Sequence, residues 1–162
     1  MTTLAVRTDR IAELARRGSS PMAFAAALSM SAAIAHLDGI GVHGRSWWAY
    51  GAFFLVTGVL QATLAVLLLW RPRAWMAVIA VPGNLAIVGM YVYTRTNGPP
   101  LGPHRGVPES PELLGMATCA AELAVAVILL RLLGDRTGRA MMTGMLLLGL
   151  AAWALRLHGT LL

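Results

Sequence analysis

Apolar residues fall in five runs, divided by short polar or Pro/Gly-rich segments. The first, Pro21 to Leu37, is rich in Ala and Ser and barely long enough to cross a bilayer core, which takes about 20 helical residues. The second, Ala49 to Trp70, is strongly apolar, opened by Trp47, Trp48 and Tyr50 and closed by Trp70. The third runs from Ala74 to Thr94, with Trp75 at one end and Tyr91 and Tyr93 at the other. A fourth covers 111–133 and a fifth Ala140 to Leu157. Runs of this length read as membrane-crossing helices, and rings at their ends as residues of the membrane–water interface. The pattern predicts an all-α, polytopic transmembrane helix bundle of five spans.

The segments between the runs fit that picture. Residues 1–20 carry Arg7, Arg10, Arg16 and Arg17 beside Asp9 and Glu13 and read as a cytoplasmic, amphipathic lead-in to a single membrane domain, 21–162. Arg71-Pro72-Arg73 is a tight turn, because Pro72 stops one helix and cannot sit inside the next. Residues 95–110 form an external loop: between Arg95 and Pro111 lie five of the eight prolines and three glycines, which no helix tolerates. Ser110-Pro111-Glu112 reads as a helix start, with a capping residue, a first-turn proline and an acid at the positive dipole end. An alternative treats the first run as a signal peptide cut after Ala33-Ile34-Ala35, leaving four spans and His36 at a free amino terminus. The long lead and the polar Ser29 and Ser31 argue against it.

Composition settles the solvent. The chain is 57% hydrophobic and 12% charged, whereas a soluble domain carries roughly 25% charged and about 45–50% apolar residues. So few charges cannot coat a water-facing surface, so the lipid bilayer is the expected partner. The net charge of +6 does not indicate nucleic acid, because the charges sit between apolar runs rather than along one face. All thirteen basic residues are arginine, as codon bias in a GC-rich genome produces. Nine of them (7, 10, 16, 17, 71, 73, 131, 136 and 139) fall on the amino-terminal side of the expected membrane and four (45, 95, 105 and 156) on the other. The positive-inside rule then gives N-in, C-out, in a bacterial cytoplasmic membrane. Cys119 is the only cysteine, which excludes an internal disulfide.

No nucleotide-binding, zinc-protease, redox or serine-hydrolase signature is present. Gly39-Ile40-Gly41-Val42-His43-Gly44 matches the dinucleotide pattern G-x-G-x-x-G, but that pattern means something only between a strand and a helix. Polar residues inside apolar runs are more informative, since they are costly in lipid and usually face the bundle interior. Gln61, Asn84 and Glu122 lie mid-run. Gln61 and Asn84 suit hydrogen bonding between helices, with the Asn84 amide placed to help satisfy the carbonyl freed by Pro82. An ionised Glu122 at that depth costs about 2.5 kcal/mol or more, so it is either protonated or paired; a proton-accepting role and a structural one are equally open. Glu112, Gly115, Cys119 and Glu122 share one helical stripe from the external face to mid-membrane.

A second cluster is external. His36 ends the first run, Asp38 and His43 follow in the first external loop, and His104 and Glu109 lie in the second, near Arg95 and Arg105. His36, His43, His104 and Glu109 are a candidate shell for zinc or copper, with Met90 and Met116 as soft ligands for copper. Solvated loop histidines are the plainer account. His158 reads as an interfacial residue.

Ala35-His36-Leu37, His43 before Trp47-Trp48, Gly51-x-Phe53-Phe54, Gln61, Arg71-Pro72, Asn84, Thr94-Arg95-Thr96, Gly102-Pro103-His104, Glu109 and Glu122 occur in that order. Over residues 30–130 the chain thereby resembles a family of uncharacterised small multi-pass membrane proteins from GC-rich bacteria. The resemblance implies no activity and points to the same polar positions. Such proteins carry an acid midway between the positions of Glu109 and Glu122, where this chain has Gly115, which weakens a multi-carboxylate site.

The first functional expectation is therefore a membrane protein that binds or transports a metal ion or protons, through an external His/Glu site and a buried Glu122. The alternative is an accessory or scaffold subunit, in a homo-oligomer or larger membrane complex, with no ligand of its own. An enzyme ranks below both, because no nucleophile–base pair is recognisable.

Overall fold

The computed structural model describes the backbone of residues 2–131, 133 and 135–160, and the side chains of 21–131, 133 and 135–147. It consists of five helices: α1 (Thr2–Ser46), α2 (Trp48–Trp70), α3 (Ala74–Asn97), α4 (Leu113–Leu130) and α5 (Asp135–Thr160). Four segments are long and apolar enough to cross a membrane: Pro21–Ser46, Trp48–Trp70, Ala74–Asn97 and Leu113–Leu130. Their outer faces are apolar, with Leu60, Leu69, Ile79 and Val127 all exposed, as contact with lipid requires. The expected fifth span, 140–157, lies within α5; its side chains from 148 onward are outside the described residues, and it is not among the four.

The largest departure from expectation is the end of α1. The helix does not stop at Leu37; it continues through Asp38, Gly39 and His43 to Ser46, and Trp47 alone separates it from α2. The connection expected as the first external loop is thus a helical turn-back, and His36 and His43 stand two turns apart on one helix. The G-x-G-x-x-G segment is helical throughout, with no strand before it. Two of its glycines, Gly39 and Gly44, serve packing against α2, as do Gly51 and Gly58 of α2 against α1. A Cβ on Gly39 would stand 2.7 Å from the Phe54 ring, one on Gly51 2.9 Å from the Gly44 Cα, and one on Gly58 2.8 Å from Leu37. Small residues let membrane helices approach closely, and this gain outweighs the helix-breaking tendency of glycine.

α1 packs along α2 and against α4, and α4 packs along α3. The buried positions of α1 recur every seven residues through Met22, Ser29 and His36, and those of α2 through Gly51, Gly58 and Ala65, the repeat of left-handed helix packing. α2 and α3 are joined by Arg71–Arg73, and this turn end of the bundle holds a dense apolar core of Ala25, Leu68, Val81, Val125 and Leu129. At the opposite, loop end, α3 runs past Thr94 to Asn97 and stops at Gly98, whose φ of 76° is costly for any residue with a side chain. The following loop is ordered. Gly106 N–H donates to Pro99 O (3.1 Å), Glu109 N–H to Thr94 O (3.2 Å) and the Tyr50 hydroxyl to Leu101 O (2.6 Å). α4 starts at Leu113, two residues later than expected; Glu112 occupies the cap position in an extended conformation without a side-chain capping bond.

Candidate functional site

Between the apolar core and the loop end, each of the four packed helices contributes polar side chains to one buried layer. α1 supplies Ser29 and His36, α2 Gln61, α3 Asn84 and α4 Glu122, and all five are buried, Glu122 to 0% exposure. The Gln61 amide lies at the centre. Its Nε2 donates to Asn84 Oδ1 (3.0 Å) and to Glu122 Oε1 (3.4 Å), and the Ser29 hydroxyl stands 2.6 Å from its Oε1 and 2.8 Å from its backbone oxygen. His36 Nε2 lies 2.8 Å from Glu122 Oε1. The Asn84 amide donates to Ala80 O (2.8 Å), its own carbonyl one turn back. Asn84 therefore does not satisfy the carbonyl that Pro82 frees, which belongs to Val78, four residues before the proline.

Glu122 is thus paired, and its partner is His36. Oε1 takes two partners, while Oε2 is buried with no hydrogen-bond partner among the described residues. Native interiors leave few such atoms. Whether Oε2 is read as a carboxylate oxygen or as a hydroxyl, it has an unfilled hydrogen-bonding place.

Glu122 also lines a cavity of about 480 Å³ that extends from this layer to the loop end, within the range of small-molecule sites. The Glu112, Gly115, Cys119, Glu122 stripe runs down one wall. His36, Asp38 and His43 of α1 line another, Tyr50, Phe53 and Phe54 of α2 a third, and Met90, Tyr91 and Arg95 of α3 the fourth. Pro99, Pro100, Leu101 and Glu109 cover the loop end. At the rim Arg95 pairs with Glu109, donates to Thr94 Oγ1 (3.1 Å) and lies over the Tyr91 ring with its Cζ 4.4 Å from the centroid.

The four-residue metal shell does not assemble. Among the described residues no three His, Cys, Asp or Glu side chains are grouped to hold a metal ion. Each expected ligand is otherwise engaged or displaced. His36 faces Glu122; His43 donates from Nδ1 to Gly39 O (2.9 Å) and stacks on Phe54 at 4.1 Å; Glu109 binds Arg95; and His104 is exposed in the loop, away from the cavity wall. Met90 lines the cavity whereas Met116 does not. His158 lies outside the described side chains.

Sequence reasoning placed Gln61, Asn84 and Glu122 in the interior but missed Ser29 and assigned His36 to the external cluster. The signal was available, since Ser29, His36 and His43 are spaced by sevens and so share one helix face. No family model, curated protein or solved structure matches this chain.

Proposed function

We propose that the chain is a multi-pass protein of the bacterial cytoplasmic membrane, N-in, that binds a small ligand in the cavity between α1 and α4. The observation that carries this reading is Glu122. It is a fully buried carboxyl group on the wall of a 480 Å³ cavity, and one of its oxygens has no partner among the described residues. A residue kept only to hold helices together would have its hydrogen-bonding places filled, as the Gln61 amide does. A scaffold with no ligand would also gain by closing the space, because interiors pack to crystal-like density.

The layer divides the work. Ser29, Gln61 and Asn84 fix the helices and orient Glu122. The His36–Glu122 pair leaves Oε2 as the hydrogen-bonding place that a ligand would fill. The cavity reaches the loop end beneath Pro99, Pro100 and Leu101, and the arginine distribution favours the external side for that end. The buried His36–Glu122 pair is the element through which any coupling to protons would act, whereas among the described residues a metal has no grouped ligands to bind it.

Native mass spectrometry of protein released from membranes tests the reading. The expected result is a bound small molecule in the wild type that is absent from Glu122→Leu, together with alkylation of Cys119 by N-ethylmaleimide in the folded protein. A bare chain whose Cys119 reacts only after denaturation overturns it and leaves the scaffold.

A further inference from the structure

The charges around the cavity oppose those of the chain. The protein carries thirteen arginines and seven acids, yet four of the acids (Asp38, Glu109, Glu112 and Glu122) line the cavity and Arg95 is its only arginine among the described residues. That guanidinium is already neutralised by Glu109. Of the remaining carboxylates, Asp38 and Glu112 are exposed toward the rim and Glu122 is buried against His36, so the lining keeps a formal excess of acids, and a cleft of one sign with apolar walls attracts the opposite charge. The lining also includes the rings of Trp47, Tyr50, Phe53, Phe54 and Tyr91, and aromatic rings attract cations through the ring quadrupole.

Resting on the ligand-binding reading above, we infer that the cavity takes an organic cation: a small amine or quaternary ammonium with an apolar or aromatic body. Three observations converge on this class. The acids are spread along the cavity rather than gathered, and no three metal-ligating side chains are grouped among the described residues; that arrangement suits a diffuse organic charge and not a compact metal ion. Glu122, buried at the inner end, adds a carboxyl oxygen, Oε2, that has no hydrogen-bond partner among the described residues. The rim already holds a cation in this manner, since Arg95 lies over Tyr91 and against Glu109. An anion would meet Asp38 and Glu112 beyond the two paired carboxylates, and a neutral apolar molecule would gain nothing from them.

Cys119, the single cysteine, lines the cavity and reports occupancy in the unmodified protein. Purified protein in lipid nanodiscs is treated with the neutral reagent N-ethylmaleimide in mildly alkaline buffer. Three competitors of similar size are added in turn: N-methyl-phenylpyridinium, neutral phenylpyridine and the phenylbenzoate anion. The expected result is protection of Cys119 by the cation at about tenfold lower concentration than by the neutral compound, the ratio of a modest cation–aromatic and charge contribution. The anion should give no protection. Glu122→Gln should erase much of the preference; Asp38→Asn, at an exposed rim position, should reduce it without disturbing the buried layer. Equal protection by the cation and the neutral compound, or better protection by the anion, overturns the cation inference and leaves the ligand-binding reading intact. Failure of N-ethylmaleimide to reach Cys119 in the folded protein overturns both.

Discussion

Glu122 and His36 depend on each other. A buried carboxyl group is tolerable only while its partners hold, and removing one member of a buried pair typically costs about 3–5 kcal/mol. His36→Leu should therefore lower the unfolding midpoint in detergent strongly, because Oε1 keeps only the 3.4 Å bond from Gln61. The double variant His36→Leu/Glu122→Leu should recover most of that loss, since two apolar side chains need no partners. If His36→Leu melts with the wild type, the pair does not hold Glu122. A second expectation at this scale is that purified protein carries no stoichiometric zinc or copper whose loss tracks His36→Ala and His104→Ala together, because the two side chains belong to different environments. Metal lost in both variants would restore the external shell. These positions also mark where the sequence was legible. Gln61, Asn84 and Glu122 stood out because polar atoms inside apolar runs must find each other. Ser29 did not, since serine in an Ala-rich run looks like dilution and its role appears only when Gln61 lies 2.6 Å away.

Among the elements, α1 decides the architecture. Its extension to Ser46 brings Gly39 and Gly44 against α2, and the Gly44–Gly51 approach is backbone against backbone. A new methyl there has nowhere to go. Gly51→Ala should cost about 1–3 kcal/mol, the range for overpacking, and Gly58→Ala should cost a similar or smaller amount because the Leu37 side chain can move. Gly41→Ala and Gly89→Ala, where an added Cβ meets nothing within 4 Å, should be neutral or stabilise by up to about 1 kcal/mol through helix propensity. Thermal unfolding of the four variants side by side checks the contrast, and equal effects would show that the glycines do not set the α1–α2 distance. The same glycines explain why the end of α1 was misread. Asp38-Gly39-Ile40-Gly41 has the composition of a loop, and only the fit to α2 shows it to be a helix face. The runs that became α2, α3 and α4 were legible to within three residues at each end, because length, apolarity and flanking Pro or Gly all agreed there.

Across the whole molecule, polarity changes along the bundle axis: apolar core at the turn end, polar layer in the middle, acidic cavity toward the loop end. The charge outside the spans follows the same axis. At the expected external end Arg45, Arg95, Arg105 and Arg156 stand with Asp38, Glu109 and Glu112, four against three, whereas nine arginines precede, join or follow the spans at the other end with only Asp9, Glu13 and Asp135 to offset them. Arginine-rich ends are retained in the cytoplasm, so under the proposed topology the end with the smaller excess of arginine is the one that crosses. That orientation would make the cavity accessible to solutes outside the cell, and it can be tested without knowing the ligand. In a Cys119→Ser background, a membrane-impermeant maleimide applied to intact cells should label Ser110→Cys in the loop. It should spare Thr137→Cys, exposed near the start of α5, until the membrane is permeabilised. The opposite pattern would turn the cavity toward the cytoplasm.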